Sequence, residues 1–498
     1  MMIAAVADRS AETRIAIDES PLDQSLALEA PDLVFPPIAR SLDGSADPVD
    51  PPEAPQPPPS SDRAMLDSDG AILASDGAIL APIPPASPAT GDAAAPPNIR
   101  ARVIARDSAT PISGAVVSDG KETVQTDVDG WFTLFGPERV GRVSVVAAGY
   151  DVVRGQTIWE GAAIALEAFE ARAIYLPFGQ LGNTASLAKL LDLARDGTIN
   201  AVVIDVKEEG GGVLPLVATD AARALGAVLE PGSDIEAFLR ELDRLGIYRI
   251  ARVVTFLDRR FVLAYPDDAI RTTAGGVLDD GVFAWTDPFS ARARAYNLAI
   301  GEQAATWFDE VQFDYIRFPG NPTLPFATQT SSADRSAAIA RFAEEAATAL
   351  HRRGAALSFA TFGITTIDRD DGGIGQLLED LAPHLDYYAP MLYPSTWPFG
   401  SFGLSYPAAH PVSIVLRATL AATQRAAGWP TMQIRPWLQD FADYGPLELP
   451  YGAGEVSGQI WAAGAAGAKG FMLWDPSLNY SVNAWDQADT IRDSSFAP

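Results

Sequence analysis

The sequence predicts an α/β fold whose main part is a (β/α)8 TIM barrel, and three observations carry that reading. After residue 170, eight short runs rich in Val, Ile, Phe and Tyr alternate with amphipathic segments of helical period. No glycine-rich phosphate loop of GxGxxG or GxxxxGK type follows any run, as a doubly wound nucleotide-binding sheet would require. The stretch is also long enough for eight repeats, since such barrels take ~250 residues plus insertions.

Ahead of the barrel the chain predicts two further parts. Residues 1–97 hold 17 of the 39 prolines and 16 acidic residues against four basic ones, a composition that buries too little apolar area to offset the entropy of ordering, so a disordered tether is expected. SDGAILA occurs twice in tandem there, at 68–74 and 75–81, and reads as a local duplication. From 98 to 169 the texture changes to β-type runs separated by turns: ARVIA at 101–105, GAVVS at 114–118, GWFTLFG at 130–136 and RVSVVAAGY at 142–150. They predict a small antiparallel β-sandwich. The DVDG run at 127–130 lacks the full twelve-position calcium loop with its closing glutamate, and a hairpin turn explains it more simply.

The barrel strands are expected at 172–178, 200–207, 248–256, 310–316, 356–363, 386–393, 432–438 and 470–475. Between the second and third, Ser233 and Glu236 form a capping box, Ile235, Phe238, Leu239 and Leu242 share one face, and Gly246 is placed to end the helix. Leu187, Leu190, Leu191 and Ala194 repeat the pattern earlier, as do Ile339, Phe342, Ala346 and Leu350 later.

Composition narrows the chemistry. A formal net charge of −28 repels nucleic-acid phosphate and anionic lipid over most of the surface, so no nucleic-acid partner is expected and a neutral or cationic ligand fits better. There are no cysteines, which removes thiolate catalysis and cysteine-ligated zinc, and His351, His384 and His410 form no HExxH-type pair. No metal or other cofactor is expected. No apolar run reaches the ~18 to 20 residues of a transmembrane segment. The opening MMIAAVADRSAETR lacks a basic start and a long hydrophobic middle and does not read as a signal peptide, although the domain types favour an extracytoplasmic or envelope location.

A barrel of this kind does its chemistry at the C-terminal ends of its strands. Those ends collect Asp205, Lys207, Glu208 and Glu209 after the second strand, Asp258 after the third, Asp314 and Arg317 at the fourth, Tyr393 at the sixth, Arg435 and Asp440 around the seventh, and Asp475 at the eighth, with Tyr315, Trp397, Trp437 and Trp474 among them. Sugars present apolar C–H faces that stack on aromatic rings and hydroxyls that need charged partners. Glycosidic cleavage then needs two carboxyl groups, one protonated and one ionised.

DVKEEGG at 205–211, IARVVTFLD at 250–258, WTDPFS at 285–290, FDEVQFDYIRFP at 308–319, DDGGIGQ at 370–376, APMLYPS at 389–395, RPWLQDF at 435–441 and FMLWDPS at 471–477, in that order, resemble the bacterial glycoside hydrolase-like family of TIM-barrel proteins. The stretch TPISGAVVSDGKETVQTDVDGWFTLFG at 110–136 resembles the carboxypeptidase regulatory-like β-sandwich family, with its Thr126, Asp127, Asp129 and Gly130 turn before Trp131 and Phe132. The first resemblance implies a glycosidase-like barrel related to the α-amylase-type hydrolases, and the acids and aromatic residues at successive strand ends point to a poly- or oligosaccharide substrate. It also implies an acid inside the fifth strand just before Phe362-Gly363, where this chain has Ala360.

On this reading Asp314 leads as the catalytic carboxylate, with Arg317 nearby favouring its ionised form. Asp205, Glu208 and Asp475 are its candidate catalytic partners, and Lys207, Arg317, Tyr393, Arg435, Trp437 and Trp474 are the candidate substrate contacts. The plainer alternatives are a buried Asp–Arg tie for Asp314, a solvated charge cluster for the 205–209 run and a turn cap for Asp475. A rival function is a non-catalytic carbohydrate-binding or envelope protein on the same barrel, which Ala360 encourages. An enzyme of phosphorylated metabolites ranks last, for want of a phosphate loop.

Overall fold

The computed structural model describes residues 98–485 apart from 136–139, 280, 282 and 321–329. The predicted tether at 1–97 lies outside the described residues.

Seven short strands precede the barrel: β1 Asn98–Ala105, β2 Val116–Ser118, β3 Thr123–Gln125, β4 Trp131–Phe135, β5 Val140–Val146, β6 Val153–Trp159 and β7 Ala163–Leu166. They form a three-stranded sheet ordered β4-β1-β7 and a four-stranded sheet ordered β3-β2-β5-β6. Both contribute to one apolar core that includes Val103, Val117, Phe132, Val145 and Ile164. Most pairings are antiparallel, whereas β7 runs parallel to β1. The 127–130 turn is tight, but it carries the chain from β3 in one sheet to β4 in the other and so is not the expected hairpin: Gly130 has a φ of 76°, and the Asp127 carboxylate accepts from the backbone N–H groups of Asp129 and Trp131. A Cβ on Gly130 would meet the Val103 carbonyl at 2.4 Å, so glycine is required there.

The remaining strands close a parallel barrel: β8 Ala171–Leu176, β9 Ala201–Lys207, β10 Tyr248–Val254, β11 Glu310–Asp314, β12 Ala356–Phe362, β13 Tyr387–Met391, the pair β14 Gln433–Ile434 and β15 Trp437–Gln439, and β16 Gly470–Trp474. Each pairs in parallel with its neighbours, and β16 returns to β8 to complete the ring. The seventh strand is broken at Arg435-Pro436, because proline has no N–H to give the ladder.

Side-chain alternation divides each strand between two cores. Along β11, Val311 and Phe313 join the large cluster under the helices, while Glu310, Gln312 and Asp314 take the opposite parity. The interior is packed with Tyr175, Ala360, Ala389, Tyr393, Trp437, Met472 and Trp474. The helix Ile235–Arg244 carries the predicted apolar face, but its cap is Asp234, which accepts from Ala237 N. Ser233 instead donates its hydroxyl to the Leu181 carbonyl, so the predicted capping box does not form.

The four-stranded sheet docks against the N-terminal ends of the barrel strands. Val116 and Val146 pack on Ala356 and Tyr387, Gly149 N donates to the Tyr387 hydroxyl at 2.9 Å, and Arg154 donates to the Phe308 carbonyl at 2.6 Å while pairing with Asp309. The opposite, C-terminal mouth is left to the loops that follow the strands.

Candidate active site

The mouth is organised around Arg252, an inward residue of β10 that is 1% exposed. Its Nη1 donates to Asp205 Oδ1 at 2.8 Å, its Nε to Asp314 Oδ2 at 2.8 Å, and its Nη2 to Glu209 Oε1 at 2.9 Å. Nη2 also lies 2.8 Å from Asp314 Oδ2. Three carboxylates from the ends of two strands therefore share one planar guanidinium, a geometry that arginine's fork can serve and an ammonium cannot. The structure thus brings Asp205 and Asp314 together, and the cation between them is one the sequence reading did not select.

Asp314 is fixed further by Tyr315 N, which donates to its Oδ1 at 2.6 Å. Tyr315 itself has a φ of 49°, an unusual conformation for an aromatic residue, placed directly after the strand end. Asp205 sits deeper: its Oδ2 accepts from the Tyr175 hydroxyl at 2.6 Å and from Phe178 N at 3.1 Å. Burial raises its carboxyl to about 6, against the lowering effect of Arg252 and with the help of Glu209. Both oxygens of Asp205 therefore have partners within the barrel.

Several of the expected site residues meet partners other than those the sequence suggested. Arg317 forms no ion pair with Asp314: its guanidinium lies against the rings of Phe362, Trp285 and Tyr315, at 4.4, 4.7 and 5.2 Å, and donates to the Phe318 carbonyl. Burial lowers its pKa to about 10, against the raising effects of Tyr315 and Asp314. Lys207 turns away from Asp205 because the pairing of β9 with β10 slips after Arg252; its amine reaches Asp258 at 2.9 Å and the Val254 carbonyl, fully buried. Glu208 folds back onto its own loop, accepting from Gly210 N and Gly212 N. Asp475 caps the turn after β16, accepting from Ser477 N and Asn479 N.

Arg435 lies at the other end of the barrel interior, fully buried, paired with Glu310 and stacked 3.7 Å from the Tyr387 ring. Trp437 is 1% exposed and donates from Nε1 to Gln312 at 3.0 Å, one inward step below Asp314. Trp474 and Tyr393 do stand at the mouth. Trp474 stacks on Tyr175 at 4.1 Å with Arg252 5.3 Å from its ring, and Tyr393 packs 6.4 Å from Trp474. Ala360 is 1% exposed among these aromatic side chains, so the fifth strand supplies no acid from that position.

Asp440 completes the arrangement. It follows β15, its backbone N–H donates to the Trp474 carbonyl at 3.1 Å, and its Oδ2 accepts from Ser481 N at 2.7 Å. Burial pushes its carboxyl up to about 7 against the hydrogen bonds from Ser481, and the Asp475 carboxylate adds to the rise. No arginine or lysine pairs with it among the described residues. The sequence reading named Asp440 at the mouth without giving it a role; the missing signal was its burial.

A closed parallel barrel with carboxylates and aromatic rings at its C-terminal mouth is a scaffold suited to the hydrolysis of carbohydrates. Residues 173–480, more than half of the chain, match the family described as "Putative glycosyl hydrolase domain", and the chain belongs to that family. Among curated proteins, none matches the chain. Among solved structures, it is similar to a hypothetical protein from Ruminiclostridium thermocellum ATCC 27405, at 30% identity over 37% of this chain and 96% of that one, with a TM-score of 0.33. It is also similar to the PgaB (BpsB) glycoside hydrolase domain from Bordetella bronchiseptica (15% identity, 66% and 100% coverage, TM-score 0.47) and to the spore cortex-lytic enzyme SleL of Bacillus megaterium QM B1551 (11% identity, 68% and 77% coverage, TM-score 0.40).

Proposed function

We propose that this glycosyl hydrolase domain cleaves glycosidic bonds of a poly- or oligosaccharide with Asp314 as the attacking or water-activating carboxylate and Asp440 as the proton donor. The reaction needs one carboxyl that accepts and one that carries a proton near neutrality. The observation that supports the division is the contrast between their surroundings. Asp314 accepts N–H groups from Arg252 and Tyr315, whereas Asp440 is buried without a cation and raised to about 7. Trp474, which ends β16, and Tyr393, which follows β13, bring aromatic carbon to the mouth.

A second reading gives the proton to Glu209. It shares Arg252 Nη2 with Asp314, so their oxygens lie within about 6 Å, near the ~5 to 5.5 Å carboxyl spacing of retaining glycosidases. The Glu209 oxygen is already held by Arg252 Nη2, however, whereas Asp440 has no guanidinium contact among the described residues, and Asp440 is preferred. Azide rescue separates the two. With activated aryl glycosides, the acid variant should recover turnover on adding azide; recovery in Glu209→Ala and none in Asp440→Ala would reverse the assignment. Loss of all activity in Asp314→Asn is required by either version, and a fully active Asp314→Asn would sink both.

A further inference from the structure

Beyond Tyr393 the aromatic side chains do not stop. Phe441 meets Tyr393 edge-on at 5.6 Å, and Tyr444 lies parallel to Phe441, 6.2 Å away with 2° between the ring planes. Exposure rises along this row, from 2% at Tyr393 to 37% at Tyr444. On the adjoining loop after β13, Phe399 stacks on Tyr406 at 5.4 Å and is 67% exposed. The two loops are tied to each other: the Tyr406 hydroxyl donates to Asp443 and accepts from Leu447 N at 3.1 Å. Asp443 also accepts from Gly445 N at 3.1 Å.

We infer that this row is a built binding track for a glycan chain, leading from Trp474 and Tyr393 outward over Phe441 and Tyr444 to Phe399. Large aromatic rings left in water cost hydration free energy, and two of these are held by hydrogen-bonded loops that could have been polar throughout. With 5.6 Å between Tyr393 and Phe441 and 6.2 Å between Phe441 and Tyr444, the outer side of the row gives sugar C–H groups aromatic carbon to pack on. Continuity with the mouth selects the occupant: a polysaccharide whose cleaved bond lies at Asp314 has to leave the barrel over one rim, and the loops after β13 and β15 carry this aromatic row. The inference deepens the proposed hydrolysis, on which it rests, by making the substrate a polymer.

The test uses the full chain and the double variant Phe399→Ala/Tyr444→Ala, whose side chains are exposed and outside the carboxylate cluster. Native gels containing amylose, xylan, galactomannan or chitosan report binding, and hydrolysis of the retained polymer and of short aryl glycosides reports turnover. Wild type should be retarded in at least one gel, and the double variant at least about tenfold less. Its kcat/KM should fall by about tenfold on that polymer and stay within about twofold on aryl glycosides. Retardation lost in the variant but without turnover of any glycan would uphold the track and remove the proposed hydrolysis. Three results would overturn the track: no retardation in any gel, equal retardation of both proteins, or equal loss on polymer and aryl glycoside. A change in self-association in the variant without change in retardation would assign the rings to a second copy of the chain and overturn it too.

Discussion

Replacing Asp440 with Asn separates its electrostatic cost from its chemistry. The wild-type carboxyl is raised from 3.8 to about 7, so the folded protein holds this proton more tightly than the unfolded chain does. Stability therefore falls as pH rises from about 4 to about 7, and the full cost is present above that window. At 1.36 kcal/mol per unit, the cost is about 4 kcal/mol if the site does not relax. Asparagine keeps an oxygen for Ser481 N and carries no charge. The stability of Asp440→Asn relative to wild type should thus grow by up to about 4 kcal/mol between pH 4 and pH 8, measured by urea unfolding across that range. The same substitution should slow unactivated glycosides strongly, spare substrates with good leaving groups, and abolish the alkaline limb of the kcat/KM profile near pH 7. Parallel stability curves for the two proteins, or an alkaline limb unchanged in the variant, would refute the reasoning.

Other outcomes follow from the same geometry. Asp314→Asn should lower kcat on the order of 10³-fold or more while leaving the thermal midpoint within a few degrees, because its oxygen still accepts from Tyr315 N. Arg252→Met should destabilise by about 3 to 5 kcal/mol in urea unfolding, since it leaves buried carboxylates without their cation, and Arg252→Lys should recover only part of that. Gly470→Ala should cost more than ~2 kcal/mol: Gly470 has a φ of 82°, and an added Cβ would lie 2.3 Å from Ala171 N at the seam where β16 meets β8.

The barrel was legible because each strand carries an apolar run and each helix an apolar stripe, and both survive in one dimension. Asp314 was legible for the same reason: it ends the run Val311 to Phe313, where the topology puts chemistry. Its cation was not. Arg317 is near Asp314 in sequence, but the left-handed turn at Tyr315 sends it among three rings, while Arg252 reaches Asp314 from the neighbouring strand. Strand parity could have found it, since Arg252 lies two residues beyond Ile250 on the inward face of β10. Arg435 was misplaced because Pro436 divides its strand, so a residue taken for a strand end stands level with Glu310 near the strand starts. Glu208 and Asp475 show the limit for carboxylates generally: each accepts from backbone N–H groups of its own loop, and such a contact leaves no trace in one dimension.

Docking of the four-stranded sheet on the barrel's lower rim gives the molecule a division of labour by end. Tyr387 and Asp309, which begin or precede barrel strands, find hydrogen-bond and charge partners in Gly149 and Arg154. A barrel cut free at residue 170 would leave Asp309 with Arg249 alone and bare the apolar patch of Ala356 and Tyr387. The 98–166 segment is therefore better regarded as the barrel's stopper than as a detachable passenger, and the two should melt as one cooperative unit.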